Sequence, residues 1–66
     1  NMNYITILDF EAGRVFQYES PTNSQHEDFE EFLTNKGHNL SNCEWMVHKN
    51  PDIHTQINGV EVVITK

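Results

Sequence analysis

The sequence predicts a small α+β protein in which one helix packs on a mostly antiparallel, four- to five-stranded sheet, in the order β-β-α-β-β-β. Three observations predict this fold class. Several short segments alternate apolar and polar residues, as half-buried strands do. One segment instead repeats its apolar residues at the helical spacing. An Asn-Gly pair lies between two alternating segments, which is the pattern of a type I′ hairpin.

The first hairpin is predicted near the amino terminus. Residues 4–10 (YITILDF) are rich in β-branched and aromatic side chains, as strands are. Residues 14–19 (RVFQYE) return with Phe16 and Tyr18 on one face. The residues between the two segments form a short turn, in which Gly13 is available for a positive φ.

A helix is predicted from about Gln25 to Lys36. Phe29, Phe32 and Leu33 fall at positions i, i+3 and i+4, so they form one apolar stripe along it. This stripe is the face that we expect to pack on the sheet.

Both ends of the helix carry capping signals. Ser24 and Glu27 have the spacing of a capping box at the start. Gly37 is placed for a left-handed cap at the end, with Leu40 folding back onto the last turn. Lys36 suits the negative end of the helix dipole.

The last third of the chain predicts one more strand and a second hairpin. Residues 43–48 (CEWMVH) alternate, with Cys43, Trp45 and Val47 on one face. A two-residue Asn58-Gly59 loop fixes the register of the hairpin that follows. The register pairs Ile57 with Val60, Thr55 with Val62, and Ile53 with Ile64. We expect the apolar sides of both hairpins and of the helix to meet in one interior.

Length and charge limit the function classes. Residues 1–66 hold a single domain, with Met2 as the expected natural start of a complete small protein. The formal charge is −6 and the pI about 4.9, which disfavours direct binding to nucleic acid or to a membrane surface. The single cysteine excludes an intrachain disulfide, and without a signal peptide we expect a cytoplasmic location.

The cysteine and the four histidines are the residues that a metal site or a thiol-dependent enzyme would use. Cys43, His48 and His54 are close in sequence, and His26 and His38 lie elsewhere. No CxxC, HxxxH or HExxH spacing occurs, and the alternation sends Cys43 and His48 to opposite faces of the sheet. A lone cysteine on an alternating strand is typical of a core position. We therefore predict no metal site, no cofactor and no enzymatic activity.

Four acidic residues follow one side of the predicted helix: Glu27, Asp28, Glu30 and Glu31. A solvated helix face is the ordinary interpretation of such a run. The alternative is a negative patch for a basic protein, imitating nucleic acid. These four residues are the candidate protein-binding face.

Two stretches of the sequence resemble segments of other small proteins. Residues 5–10 (ITILDF), with Gly13-Arg14-Val15 and Tyr18, form the first, and residues 37–46 (GHNLSNCEWM) form the second. Both resemble segments of small uncharacterised stand-alone proteins of bacteria and their mobile elements. The resemblance implies a short independent reading frame and brings no activity with it.

Three functional hypotheses follow. The first is a small acidic protein-binding or inhibitory accessory module without catalytic activity, whose partner is another protein, for example a basic one. The second is a self-associating, homodimeric structural protein, because a chain of 66 residues buries little core by itself. The third is a metal- or thiol-dependent enzyme.

Overall fold

The computed structural model describes residues 3–20 and 26–64, with the side chains of residues 26–28 and 64 excepted. The elements are β1 (Asn3–Asp9), β2 (Arg14–Ser20), α1 (His26–Asn35), a short 3₁₀ helix (Leu40–Asn42), β3 (Cys43–His48), β4 (Ile53–Ile57) and β5 (Val60–Ile64). One helix and antiparallel strand pairs make this a small α+β fold, as the sequence predicts. The predicted capping box of Ser24 and Glu27 lies outside the described residues.

The larger sheet has three strands in the order β2-β1-β3, with both neighbours antiparallel to β1. Ile7 is paired with Phe16 of β2 and with Trp45 of β3. Because directly paired residues point to the same side of a sheet, these three side chains share one face. Thr6 and its neighbours Gln17 and Met46 lie on the other face.

Helix α1 covers the first of these faces and builds the core there. Ile5, Ile7 and Leu33 are fully buried, and Cys43 joins their cluster. Six partly buried side chains surround the cluster: Phe16, Tyr18, Phe29, Phe32, Leu40 and Trp45. The apolar stripe predicted for the helix is therefore confirmed as its packing face, and Cys43 is a core residue.

Strands β4 and β5 form a two-stranded sheet of their own. The predicted register is confirmed, since Ile57 pairs with Val60, Thr55 with Val62, and Ile53 with Ile64. Asn58 has φ +55° and Gly59 φ +80°, the pair of positive angles that a type I′ turn requires.

The expectation of one four- to five-stranded sheet over a common interior is wrong for this hairpin. On its apolar side, Ile57 is 57% exposed and Val60 is 64% exposed. A helix is about 10 Å wide and strands lie about 4.8 Å apart, so one helix covers only two to three strands. Among the described residues, α1 is the α-helix, and it packs on β2, β1 and β3. The apolar side of the second hairpin therefore lies outside this core.

In the part of the chain that the structure describes, the ten-residue α1 is too short to cross a membrane, and no other helix is long and apolar enough to do so.

Candidate functional site

The end of α1 determines where His38 lies. The N–H of Gly37 donates to the carbonyl of Thr34 at 2.9 Å, and the N–H of His38 donates to the carbonyl of Leu33 at 3.3 Å. These two bonds form a Schellman motif, in which the residue after the last turn adopts a positive φ. Gly37 has φ +96°, which confirms the predicted glycine cap. The motif turns the chain back toward the sheet and carries His38 into the protein.

His38 joins two side chains of the sheet. Its Nδ1 lies 2.7 Å from Oδ2 of Asp9, and its Nε2 lies 2.7 Å from Oη of Tyr18. The ionised carboxylate of Asp9 only accepts hydrogen bonds, so Nδ1 carries the proton and donates it. With the proton on Nδ1, the Nε2 atom of His38 accepts the hydrogen bond of the Tyr18 hydroxyl. The result is a buried Tyr–His–Asp chain between β2, the loop after α1, and β1.

Asp9 is fixed from both sides. Its Oδ1 accepts the N–H of Ala12 at 3.0 Å, and its backbone carbonyl accepts the N–H of Gly13 at 2.8 Å. The hydrogen bond from His38 is the main cause of a lowered pKa at Asp9, and the bond from Ala12 adds to it. Asp9 is therefore an ionised group that closes the β1–β2 turn and orients the imidazole.

Tyr18 is packed among aromatic rings. It meets Phe32 edge-on at 5.8 Å between ring centroids and stacks on Phe16 at 6.2 Å. The ammonium of Lys36 lies 5.4 Å from its ring centroid. Burial raises the pKa of the Tyr18 phenol, and the negative charge of Asp9 raises it further. The raised pKa favours the protonated phenol, whose hydroxyl can donate to Nε2 of His38.

Cys43 lies beside this chain of hydrogen bonds. Its Sγ, a carboxylate oxygen of Asp9 and a ring nitrogen of His38 all lie within 4.8 Å of one another. Burial raises the pKa of the Cys43 thiol, and the negative charges of Asp9 and Glu11 raise it further. Because the thiolate is the reactive form, a raised pKa lowers the reactive fraction of Cys43.

His48 and His54, which follow Cys43 in the sequence, lie away from its thiol in the structure. On the uncovered face of the sheet, Nε2 of His48 lies 2.5 Å from Oγ1 of Thr6, and its Nδ1 lies 2.9 Å from the carbonyl oxygen of Asn50. His54 is exposed on β4 and pairs with Glu61 across the hairpin. Neither histidine joins the thiol in a ligand set.

The predicted acidic face is only partly described. Glu30 and Glu31 are exposed on α1, whereas the side chains of Glu27 and Asp28 lie outside the described part of the chain. Two acids of the first hairpin, Asp9 and Glu11, make contacts within the protein. Asp9 is buried against His38, and Glu11 accepts the side-chain amides of Asn39 at 2.9 Å and Asn42 at 2.5 Å.

Two open depressions lie along the uncovered face of the large sheet. One, of about 260 Å³, is lined by Thr6, Leu8, Glu44, Trp45 and Met46. The other, of about 350 Å³, is lined by Thr6, Gln17, Met46, His48, Asn50, Asp52 and Ile53. Both are open to solvent and neither is lined by Tyr18, His38 or Cys43. The second depression reaches from the sheet to the first residue of the β4–β5 hairpin.

Comparisons with known proteins add no relative: no family model matches the chain, and no curated protein or solved structure matches it either.

Sequence reasoning missed Asp9, Tyr18 and His38 as a unit. Two local signals pointed to it. Asp9 occupies the inward-facing position that follows Ile5 and Ile7 in the alternation of β1, so a charge falls where an apolar residue is expected. His38 comes directly after the glycine that ends α1, where the chain must turn back onto the core.

Proposed function

We propose that this chain is a protein-binding module without catalytic activity, and that the apolar side of the β4–β5 hairpin is its contact surface. The observation that supports the proposal is the exposure of three apolar residues on one side of the hairpin. Ile57, Val60 and Val62 are 57%, 64% and 39% exposed, and the register places all three on that side. Exposed apolar patches mark interaction sites because their burial contributes about 25 cal/mol per Å².

The apolar surface continues onto the large sheet. Ile53, at the start of β4, lines the same depression as Met46 of β3. Met46 is itself exposed on the uncovered face. A partner seated on the hairpin would therefore extend over β3 and bury more apolar area than the hairpin offers alone.

Charge favours a basic partner protein. The chain carries ten acidic residues against four lysines and arginines. Glu44 of β3 and Asp52 of the loop before β4 are exposed acids that line the two depressions, where they would lie at the rim of the contact. An apolar centre with a charged rim is the usual plan of a protein interface, and rim charges of opposite sign speed association. We expect the partner to have an apolar centre surrounded by lysine and arginine.

The first experiment identifies the partner and then measures its affinity for the chain. Proteins captured by the immobilised chain are purified and titrated by calorimetry with the wild type, with Val60→Glu and with Val15→Glu. Val15 is a matched control because it is 60% exposed on β2, at the edge of the large sheet opposite to β3. We expect Val60→Glu to weaken binding at least about tenfold, with Val15→Glu much closer to the wild type. Val60→Thr, which keeps the β-branched shape, guards against an effect of misfolding.

The outcome also separates the two candidate surfaces. Binding that is unchanged by Val60→Glu but lost in the charge reversal Glu30→Lys, Glu31→Lys would transfer the contact to the helix face. A captured protein that is acidic, or whose affinity is independent of salt, would contradict the charge argument. Absence of any saturable binding would reject the proposal.

Self-association is the second candidate, and the isolation of the hairpin favours it. A two-stranded sheet is marginally stable in water unless further strands or a helix cover it. A second copy that placed its own β4–β5 hairpin against the first would cover both apolar sides. Sedimentation should then show a dimer at low micromolar concentration that Val60→Glu dissociates and Val15→Glu does not. A stable monomer would remove this candidate and leave a different protein as the partner.

A further inference from the structure

We propose that Asp9, His38 and Cys43 form a binding site for a transition-metal dication, and that Zn²⁺ is the ion that fits their chemistry. Each residue offers one ligand atom, and the three atoms lie within 4.8 Å of one another. Zinc sites need such convergence, since zinc binds nitrogen and oxygen at about 2.0–2.2 Å and sulfur at about 2.3 Å.

The three ligands come from separate parts of the chain and are all buried. Asp9 ends β1, His38 follows α1, and Cys43 begins β3. Their exposures are 8%, 6% and 8%. The packing of these three segments holds a thiol, an imidazole and a carboxylate together inside the protein. A bound ion would tie the loop between α1 and β3 to the sheet.

The donor set selects among metals. Thiolate and imidazole ligands favour zinc and its neighbours, whereas magnesium and calcium prefer sites made of oxygen alone. With three protein ligands, a water molecule takes the fourth position of a tetrahedral zinc site. The site therefore discriminates Zn²⁺ and Co²⁺ from Mg²⁺.

Charge balance supports occupancy by a dication. The carboxylate of Asp9 lies in a buried position, and a bound dication would offset its charge. Zn²⁺ adds two positive charges, and the Sγ–zinc bond replaces the S–H bond with release of one proton. The metal-bound cluster is then neutral, which removes the cost of burying an unbalanced charge.

Tyr18 is a positioning residue for the metal site, because it holds the imidazole of His38 in the orientation that metal binding needs. Nδ1 is the nitrogen that faces Asp9, and a metal bound there takes the place of its hydrogen. The proton then resides on Nε2, which donates to Oη of Tyr18 across the existing 2.7 Å contact. Metal-binding histidines commonly donate their second ring N–H to such a partner, which fixes their orientation.

The test uses Co²⁺ as a spectroscopic probe of the chain of residues 1–66. Cobalt bound to a thiolate gives a charge-transfer band in the near ultraviolet, and we expect this band to saturate at one equivalent per chain. Added Zn²⁺ should abolish the band, and a large excess of Mg²⁺ should leave it unchanged. Cys43→Ser should remove the band, and Asp9→Asn and His38→Gln should weaken Co²⁺ binding at least about tenfold.

Matched controls distinguish the site from adventitious binding. The double variant His48→Ala, His54→Ala removes two histidines outside the cluster and should bind Co²⁺ as the wild type does. Tyr18→Phe should keep the one-to-one stoichiometry with a lower affinity. In the unmodified chain, Zn²⁺ but not Mg²⁺ should slow alkylation of Cys43, which gives a result even if a variant fails to fold.

Three results would overturn the site. They are the absence of a saturable thiolate band, a band that survives in Cys43→Ser, and a band lost with the two control histidines. None of these results bears on the β4–β5 contact surface, so the two proposals fail independently.

Discussion

Nδ1 of His38 lies 2.7 Å from Oδ2 of Asp9, although 29 residues separate them along the chain. This pair connects the end of the central strand to the segment that leaves the helix. Tyr18 extends it to the second strand through the other ring nitrogen. One histidine therefore links three elements around the core, and most of the testable consequences concern its neighbours.

Stability should depend on pH through Asp9. Its folded-state pKa lies below the ordinary value of 3.8, chiefly because it accepts a hydrogen bond from His38. The stabilisation is therefore present above the unfolded pKa and is lost as the pH falls through the folded pKa. We expect Asp9→Asn to be less stable than the wild type near neutral pH, with the difference shrinking below about pH 4. Urea unfolding of both proteins across this pH range measures the difference in their free energies of unfolding.

The exposed Asp52 supplies the control for this experiment, because Asp52→Asn should leave the acid profile of the wild type in place. A stability gap between wild type and Asp9→Asn that stayed constant down to about pH 2 would contradict the assignment.

Tyr18→Phe should destabilise the fold by about 1–2 kcal/mol, because it leaves Nε2 of the buried His38 without its hydrogen-bond partner. Tyr4→Phe is the matched control, since Tyr4 lies on the uncovered face of β1 and stacks near His48. Its effect should stay within about 0.5 kcal/mol. Chemical denaturation of the three proteins provides the comparison, and equal losses for both variants would argue against a special role of the Tyr18 hydroxyl.

Gly37→Ala should cost about 1 kcal/mol of folding free energy, because φ at this position is +96° and side chains with a Cβ disfavour that region. Among the described residues, no heavy atom beyond the chain neighbours lies within 4 Å of the place that an alanine Cβ would occupy, so backbone strain and not crowding is the cause. Gly37→Asn should be less harmful, since asparagine tolerates a positive φ better. A thermal melt in which alanine is neutral or stabilising would disprove this explanation.

Cys43 should react slowly with iodoacetamide while the protein is folded. Burial raises the pKa of its thiol, and the charges of Asp9 and Glu11 act in the same direction. At about pH 8 we expect alkylation at least about tenfold slower than in the urea-unfolded chain. Mass spectrometry of timed samples measures the rate. Folded and unfolded chains that reacted equally fast would return a thiol enzyme to consideration.

Local features of this protein followed from the sequence by itself. The Asn58-Gly59 turn and the alternation beside it determined the register of β4 and β5, because a two-residue turn leaves only one pairing that keeps the apolar residues together. The stripe of Phe29, Phe32 and Leu33 and the glycine after the helix determined its packing face and its end. Such features depend on residues a few positions apart, where backbone geometry decides which side chains are neighbours.

Only the tertiary structure decided which elements share the core. The single helix covers three strands, so the second hairpin stays outside with Val60 exposed, although its own pattern is that of a half-buried pair. The same long-range packing brings His38 to Asp9 and Cys43. Alternation specifies which side of a strand is apolar. Which element covers that side depends on long-range packing, because the face of α1 has room for only two to three strands.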